Sequence, residues 1–375
     1  MTTTGVVGGR WRATISQWGA VEPWDGSAVV DWFVAADDRW HRPEHESSTR
    51  QTRLDGTPVV ETRVRIPGGD AVQRVYSVAV GGGLTIMEVT NDSSLPIAVA
   101  FTGGGLVSRR ARTAVPAHGI DLPADAVVHP IGHRSTVTVA RAHSAAADST
   151  LPDVPSSDQV ARGWLAQTQK ASRLGLPDAS MVEAVTAARC ELLLCGPEPD
   201  GDSSAFLLGV AEVVRMGERP AIWVPDVAVH LERLARSGAQ IAAGVVDAVA
   251  RVLHSAGEDR AVADLRRMKL VESTDGDRAD GLPVDPALVP TWVERHLVAS
   301  DEHAARLMPR GFPTGWMGVD FEAHGLAIGL ASTLSFAIRW HGDRPAVLWE
   351  VGGQPMPLTY GSWSTGQLSG EALWP

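Results

Sequence analysis

The chain has 375 residues and a net charge of −11, and 44% of its residues are hydrophobic and 21% charged. One hydrophobic core rarely organises a chain of this length, so we expect two or three packed units, and the composition excludes disorder of the whole chain. The acidic balance, with no cluster of Lys and Arg, excludes a nucleic-acid surface, since phosphate binding needs a positive local field.

The sequence predicts neither secretion nor membrane insertion. Residues 1–10 lack a basic start followed by an apolar run, and no stretch approaches the ~18 consecutive apolar residues of a membrane span. We therefore expect a cytoplasmic protein with no membrane partner. Cys190 and Cys195 have no second pair that would complete a zinc site. They are predicted to be buried free thiols, and no metal or cofactor is predicted.

Residues 1–145 have the pattern of antiparallel strands. The stretch 60–66 alternates between two sets of side chains, as a half-buried strand does, and it lies between two turn sequences. Further candidate strands cover residues 72–80, 84–90, 97–102 and 135–141. At least six short strands at intervals of roughly ten residues predict a β-sandwich.

Tryptophan is unusually common, with 13 Trp against 2 Tyr and 6 Phe, and it concentrates near both ends of the chain. Indole offers a flat apolar face and one N–H donor, so Trp interleaved with Asp, Glu, His and Arg is typical of surfaces that stack on sugar rings. The alternative is that most of these side chains belong to the core. Trp32 and Trp40 share a face only if one strand continues through both without a bulge.

The segment His41-Arg42-Pro43-Glu44-His45 has the H-x-x-E-H spacing of one class of zinc peptidases. In that motif both histidines lie one turn apart on the same face of a helix. Pro43 and the surrounding β pattern oppose a helix here. The segment is therefore predicted to be a solvated loop and not a metal site.

The segment 146–157, rich in Pro, Ser and Asp, is predicted to be a linker, and residues 158–310 have the 3.6-residue period of helices. A sixth helix is predicted to begin with the capping box Ser255-Ala-Gly-Glu258, and a short eighth helix to cover residues 301–308. Short loops predict antiparallel helical hairpins. Titratable side chains of this region, including Glu212 and Glu294, are predicted to face solvent or to cap helices. Seven main helices are predicted: the first is marked by Val160 and Trp164, the second by Met181 to Leu192, the third extends from Asp202-Ser203 to Gly217, the fourth from Asp226 to Gly238, the fifth contains Ile241 to Val252, the sixth begins at Ser255, and the seventh extends from Pro286 to about Leu297.

Residues 311–375 are predicted to form a small antiparallel β block. Residues 334–341 alternate apolar and polar side chains, and the turn Gly342-Asp343-Arg344-Pro345 leads into a strand over residues 346–351. This pattern predicts a β-hairpin. Two further candidate strands cover residues 356–359 and 371–374. A sheet of this size does not stand alone, so it is predicted to pack on the helices or on the sandwich.

A β-sandwich followed by paired helices and a small terminal β domain resembles the layout of the glycoside hydrolases and phosphorylases built on an α/α toroid, such as glucoamylase-like and maltose-phosphorylase-like enzymes. The hairpin sequence Arg339-Trp340-His341-Gly342-Asp343-Arg344-Pro345 resembles the C-terminal segments of uncharacterised actinobacterial proteins with this plan. The resemblance covers the whole chain in layout, and no catalytic signature matches residue by residue.

This resemblance implies an α+β multidomain fold with an incomplete α/α toroid, since the predicted helices are fewer than a full ring. An incomplete ring leaves the cleft open to water, which removes one source of the raised pKa that a glycosidase acid needs.

The first functional hypothesis is a divergent glycoside hydrolase-like enzyme, in which two carboxylates flank a glycosidic oxygen at ~5 to 10 Å. The candidate catalytic residues are Glu350 and Glu322, with Asp320 in reserve. The alternative for Glu350 is an outward charge at the end of a strand. The candidate substrate-binding residues are Trp32, Trp40, Trp316, Trp340, Trp349, His341 and Arg339.

Two other hypotheses stand beside the enzyme. One is a non-catalytic carbohydrate-binding or scaffold protein that has lost the acid pair, so that an oligosaccharide or glycan is the partner in both cases. The other is an oligomeric structural protein, a homo-oligomer with Trp at its interfaces.

Overall fold

The structure, a computed structural model, describes residues 1–110, 119–144, 151–238, 240–268, 270–272, 281–301, 303–342 and 344–374. The chain divides into two compact units, Met1–Trp164 (unit 1) and Leu165–Pro375 (unit 2). Over the described ranges the fold is mixed α+β, with seven α-helices and several antiparallel sheets. None of the helices in these ranges combines the length and apolar composition that crossing a bilayer requires.

Unit 1 is built from short strands, as its period-two pattern predicts. They are β1 (Thr2–Gly5), β2 (Arg12–Ile15), β3 (Val21–Pro23), β4 (Trp32–Ala35), β5 (Trp40–His41), β6 (Arg50–Arg53), β7 (Val60–Ile66), β8 (Gly69–Val78), β9 (Leu84–Ser93), β10 (Ile97–Phe101), β11 (Leu106–Ser108), β12 (Val127–Ile131) and β13 (Thr136–Ala142).

These strands form three sheets, with strand orders β1-β2-β3, β12-β10-β4-β5 and β11-β13-β9-β8-β7-β6. The alternation in β7 buries Val64 and Ile66 and leaves Arg65 exposed. One hydrophobic cluster contains side chains of both larger sheets, such as Val34 from the four-stranded sheet and Val64 from the six-stranded one. Two sheets that enclose one core fit the predicted β-sandwich.

The H-x-x-E-H segment forms no α-helix, because Pro43–His45 makes a single 3-10 turn after β5. Glu44 and His45 are exposed, as predicted for a solvated loop. His41 is buried instead, and its two ring nitrogens lie 3.0 Å from Asp38 Oδ1 and 3.1 Å from Glu46 Oε1. Among the described residues, no group of three or more His, Cys, Asp or Glu side chains could hold a metal ion.

The predicted helices occur in the structure, with shifted ends. They are α1 (Ser157–Thr168), which spans the boundary between the units, α2 (Ala179–Cys195), α3 (Ser203–Arg215), α4 (Val224–Ser237), α5 (Val245–Ser255), α6 (Asp259–Arg267) and α7 (Val289–Leu297). The predicted capping box is wrong, because Ser255 ends α5 and α6 has no side-chain cap.

The predicted eighth helix over residues 301–308 is also wrong, because this segment belongs to two short antiparallel strands. The Asp301 carboxylate accepts hydrogen bonds from the backbone N–H groups of His303 and Ala304, which closes a tight turn. Ala305 and Leu307 are buried while Arg306 points out. The local side-chain bond to the backbone therefore prevails over helix propensity.

The remaining strands all lie in unit 2. They are β14 (Arg173–Gly175), β15 (Val298–Ser300), β16 (Ala305–Leu307), β17 (Phe321–Ile328), β18 (Ser332–His341), β19 (Arg344–Gly352), β20 (Leu358–Tyr360), β21 (Trp363–Thr365) and β22 (Ser369–Leu373). They form a five-stranded sheet, β14-β17-β18-β19-β22, and a four-stranded sheet, β15-β16-β20-β21.

The predicted C-terminal hairpin is confirmed as β18 paired with β19, with His341 opposite Arg344. Asp343 in its turn lies outside the described residues. One hydrophobic cluster joins α2 and α7 to β17, β18 and β19, through side chains such as Val185, Val293 and Phe336. The sheet therefore packs on helices, which was one of the two predicted alternatives.

Of the two cysteines, Cys190 is buried and Cys195 is exposed. The prediction of two buried thiols is wrong for Cys195, which is the last residue of α2.

Candidate functional site

A pocket of about 440 Å³ lies in unit 2, and we call it the Arg251 pocket. Four segments supply its walls: residues 169–173 before and within β14, residues 211–215 of α3, residues 248–255 of α5, and residues 324–333 of β17, β18 and the turn between them. The helical part of unit 2 and its larger sheet thus share one concave surface.

Helical spacing directs the α5 side chains into this pocket. Ala248, Arg251, Val252 and Ser255 line it, and they follow the i, i+3, i+4, i+7 spacing of one helix face. The neighbouring residue Val249 is fully buried in the hydrophobic cluster formed by α3, α4, α5 and α6. Arg251 therefore projects from a helix that the core holds firmly.

The sheet side of the pocket is shaped by a bulge in β17. The pairing of β17 with β18 shifts register between Ala323 and Leu326, and Gly325 has a φ of 72°, in the left-handed region that favours glycine. On the other side of β17, Arg173 of β14 lies directly opposite His324. Both Arg173 and His324 line the pocket.

Four charged residues from α2, α3 and α7 adjoin the pocket, and we call them the buried charge network: Arg189, Glu212 and Glu294, which are buried, and Arg215, which is partly buried. Arg189 Nε donates to Glu212 Oε1 at 2.5 Å, and its Nη2 donates to Glu294 Oε1 at 2.9 Å. Arg215 Nη1 donates to both carboxylates, at 2.9 Å and 3.0 Å. The prediction that Glu212 and Glu294 face solvent or cap helices is wrong, because each pairs with two guanidinium groups.

The network is also bonded to the segment that leads into β14. Ser172 Oγ donates to Glu294 Oε1 at 2.7 Å, and Arg189 Nη1 donates to the Ser172 carbonyl at 2.8 Å. Arg215 Nη2 donates to the Ala171 carbonyl at 2.8 Å. One wall of the pocket is thus fixed by charge-assisted hydrogen bonds.

The pKa directions agree with this pairing. Burial opposes the charged form of Glu212, but the charges of Arg215 and Arg189 lower its pKa below the usual value. Burial likewise opposes the charge of Arg215, while the carboxylates of Glu212 and Glu294 raise its pKa. The network thus pairs two guanidinium groups with two carboxylates, and their formal charges balance.

Arg251 differs from these arginines. It is partly buried, and within the described part of the chain no hydrogen bond or ion pair to its guanidinium occurs. Burial lowers its pKa, and the positive charge of Arg215 adds to this effect, while the charges of Asp247, Glu294 and Glu212 oppose it. An arginine stays charged in proteins, so the pocket wall holds a charged guanidinium that makes no hydrogen bond or ion pair with a described residue.

The rest of the pocket lining adds positive charge and hydroxyl groups. Besides Arg251 and Arg215, the cationic or titratable lining residues are Lys170, Arg173 and His324, and no described lining residue is acidic. Lys170 Nζ donates to Gln167 Oε1 at 2.6 Å, and Arg173 lies 3.7 Å from Glu322. Four residues add hydroxyl groups to the lining: Ser172, Ser255, Ser332 and Thr333. This arrangement suits an anion that also accepts hydrogen bonds.

Two of the predicted catalytic carboxylates lie on the outer face of the five-stranded sheet. Glu322 Oε2 accepts a hydrogen bond from Arg339 Nη2 at 3.0 Å, and its Oε1 lies 3.3 Å from His324. These bonds, from Arg339 and then His324, lower the pKa of Glu322. Glu350 is exposed on β19 opposite Ser335.

Strand register sets the spacing of Glu322 and Glu350. Glu322 pairs with Ala337, which pairs with Leu348, and Glu350 lies two positions further along β19. With strands ~4.8 Å apart and a rise of ~3.4 Å per residue, the two Cα atoms are about 12 Å apart. Asp320 Oδ1 instead accepts the backbone N–H of Trp340 at 2.9 Å.

The predicted indoles of unit 2 lie on the opposite face of that sheet. Trp316 and Trp349 are buried in the core, and Trp349 Nε1 donates to the Gln367 carbonyl at 3.0 Å. Trp340 is partly buried against Phe312, at a ring distance of 5.3 Å. Because successive residues of a strand face opposite sides, Trp349 and Glu350 do not meet. His341 is exposed at the end of β18.

In unit 1, Trp32 and Trp40 lie on two different strands and on opposite faces of the four-stranded sheet. Trp32 is fully buried, and its Nε1 donates to the Trp18 carbonyl at 2.8 Å. Trp40 pairs with Ala35 in the register that places it on the other face, and it is partly buried. Phe33 is on that same face and is also partly buried.

The sequence analysis did not single out the cations of the Arg251 pocket. A usable signal exists in the sequence, because Arg251 interrupts the apolar run 248–253 and Arg215 ends the apolar helix α3. A charged residue within or at the end of an apolar run indicates either a buried partner or a ligand.

No family model matches the chain, and no curated protein is similar to it at the level that would indicate a relationship.

Proposed function

We propose that the protein binds a small anionic molecule in the Arg251 pocket. The observation behind this proposal is the unbalanced charge of Arg251 beside a neutral buried charge network. Burying a charge without a partner costs several kcal/mol, and an anion in the pocket would offset that cost. Pockets of about this volume accommodate small-molecule ligands.

The ligand is expected to contact Arg251 directly. A guanidinium group presents paired N–H donors that match the two oxygens of a carboxylate or phosphate. Hydroxyl groups such as those of Ser255 and Thr333 supply further donors from two sides of the pocket. Arg215 contributes a positive electrostatic potential but few free N–H donors, because its nitrogens already donate to Glu212, Glu294 and the Ala171 carbonyl.

Isothermal titration calorimetry at constant ionic strength tests the proposal, with acetate, sulfate and inorganic phosphate as probes. Wild type is expected to bind at least one of them, and Arg251→Met to weaken that binding by roughly tenfold or more, the worth of a charged hydrogen bond. Arg260→Met is the matched control, since Arg260 is exposed on α6. Equal binding by wild type and Arg251→Met would overturn the proposal, as would the absence of binding by these probes and by longer carboxylates such as hexanoate.

Saccharide binding is the second candidate, and the observation that favours it is the pair Phe33 and Trp40 on the outer face of the four-stranded sheet. Trp40 lies opposite Ala35, so Phe33 is its diagonal cross-strand neighbour, at about 7–8 Å between Cα atoms. Both rings are partly exposed, which stacking on a sugar requires.

This second candidate is tested by quenching of intrinsic Trp fluorescence with a panel of oligosaccharides. Saturable quenching is expected for wild type and for Trp24→Ala, which removes an exposed indole elsewhere in unit 1. Trp40→Ala is expected to lose it. Identical titrations of Trp40→Ala and wild type would exclude this surface.

Hydrolysis by Glu322 and Glu350 stays a prediction. The lowered pKa of Glu322 fits a base or nucleophile, so Glu350 takes the part of the acid in this hypothesis. Release of reducing sugar that is lost in both Glu322→Gln and Glu350→Gln would support it.

A further inference from the structure

The apolar part of the Arg251 pocket restricts what the bound anion is. Seen from Arg251, much of the lining is small and aliphatic, and it comes from both helices and from the sheet: Ala211, Val214, Ala248, Val252, Ala327 and Leu330. Small side chains leave room beside the guanidinium and offer no hydrogen bond. A ligand that fills this room has an apolar body.

The same lining disfavours a nucleotide or another flat heterocyclic ligand. Of the described lining residues only His324 has an aromatic ring, and its Nε2 lies 3.3 Å from Glu322 Oε1. A base is usually held by stacking on an aromatic face. The pocket provides no such stack along its aliphatic walls.

Charge balance limits the charge of the ligand. The buried charge network is neutral, and Arg173 is close to Glu322. Lys170 bonds the uncharged Gln167 and is exposed, so solvent screens its charge. Arg251 is therefore the partly buried cation of the lining that has no ion-pair partner among the described residues, and it lies next to the apolar wall. A single carboxylate matches this charge and the paired donors of a guanidinium, whereas a phosphate dianion brings a second negative charge.

We propose that the ligand of the Arg251 pocket is a small aliphatic monocarboxylate, with its carboxylate on Arg251 and its hydrocarbon body against the alanine and valine side chains of α3 and α5. This inference rests on the proposed anion-binding function and names its ligand class.

Calorimetric titration of the full chain with a matched series tests the inference: acetate, butyrate, hexanoate, the neutral hexanamide, and inorganic phosphate. Affinity is expected to rise from acetate to hexanoate by up to about fourfold per methylene, the value of a buried CH₂. Hexanamide is expected to bind at least tenfold more weakly than hexanoate, because it has no charge for Arg251.

Two variants separate the two ends of the ligand. Ala248→Leu fills part of the aliphatic wall and is expected to weaken hexanoate binding more than acetate binding. Arg251→Lys keeps the charge but loses the paired donors, so it is expected to weaken every carboxylate in the series by a similar factor. Circular dichroism and thermal melting check that each variant is folded. If Arg251→Lys is not folded, Ala248→Leu still tests the inference.

The failure of this inference differs from the failure of the proposed function. One outcome overturns the monocarboxylate but retains the anion site: phosphate binds more tightly than hexanoate, affinity does not rise along the carboxylate series, and phosphate binding still depends on Arg251. No binding of any probe, or binding that Arg251→Met and wild type share, overturns both.

Discussion

Arg215 and Arg251 line the same pocket from neighbouring helices, yet their surroundings differ completely. Arg215 donates to two carboxylates and a backbone carbonyl, whereas the guanidinium of Arg251 has no hydrogen-bond or salt-bridge partner among the described residues. Both are charged and partly withdrawn from bulk water, so the difference is whether carboxylates pair with the positive charge. A compensated buried charge supports the fold, and an uncompensated one at a pocket surface is suited to a ligand.

The largest expected effect on stability comes from removing Arg215, the arginine whose charge is paired. Arg215→Met leaves Glu212 and Glu294 with half of their partners, and removing one member of a buried ion pair typically costs about 3–5 kcal/mol. Urea denaturation is expected to show a loss of this size in the free energy of unfolding. The control is Arg236→Met, which removes an exposed pair with Glu232. A loss no greater than that of the control would contradict the structural role of Arg215.

His143, a partly buried histidine of unit 1, avoids an unpaired positive charge by staying neutral. His143 stacks on Trp11 at a ring distance of 4.0 Å, and its Nε2 is 2.9 Å from Thr85 Oγ1. Burial, with a smaller contribution from the charge of Arg12, lowers the pKa of His143 to about 4.

The pH dependence follows from that shift. Between pH ~6.5, the usual pKa of histidine, and pH ~4, the unfolded chain takes up a proton that the folded chain does not. Stability is therefore full above pH ~6.5 and falls by up to about 2–3 kcal/mol as the pH is lowered to ~4. The free energy of unfolding of wild type is expected to fall between these pH values more steeply than that of His143→Gln, as measured by denaturant titrations at several pH values. Parallel curves would contradict the burial of a neutral imidazole.

Removal of Arg251, the arginine without an ion-pair partner, is expected to change stability less. Arg251→Met removes a charge that has no described partner and adds apolar surface, so stability is expected to stay within about 1 kcal/mol of wild type or to rise. Thermal melting in buffer without small organic anions measures this. A loss as large as that of Arg215→Met would show that Arg251 belongs to the fold and would remove the contrast between the two arginines.

The smallest effect is expected at Glu322, whose partners Arg339 and Arg173 are themselves largely exposed. Surface ion pairs contribute 0–1 kcal/mol, so Glu322→Gln is expected to lower stability by less than about 1 kcal/mol in the same denaturation assay. Raising the salt concentration is expected to shrink the difference further. A loss of several kcal/mol would place Glu322 with the compensated buried charges.

Much of the fold follows from periodicity in the sequence. The alternation of residues 60–66 becomes β7, and the apolar spacing of residues 241–252 becomes most of α5. The short strands β14, β15 and β16 were not predicted, because three-residue segments show no periodicity and acquire their structure from partners far away in the chain. Asp301 lies in a turn of a hairpin where a helix was predicted, and its carboxylate accepts two backbone N–H groups there.

The site was less predictable than the fold. Aromatic and acidic residues adjacent in sequence, such as Trp349 and Glu350, look like neighbours until the strand places them on opposite faces. Arg251 is the reverse case, since nothing next to it in the sequence identifies Arg173 or His324 as lining the same pocket. Long-range juxtaposition of this kind depends on the pairing of β14 with β17, which no local pattern encodes.

That three-residue pairing also fixes when the pocket can come into existence. Arg173 and the helices of unit 2 leave the ribosome well before the strand that contains His324, so an unfinished chain has the guanidinium of Arg251 but no opposite wall. The lining of the pocket is therefore complete only after β17 and β18 have been synthesised. If the proposed anion binds there, it has no partly built site to occupy before that point.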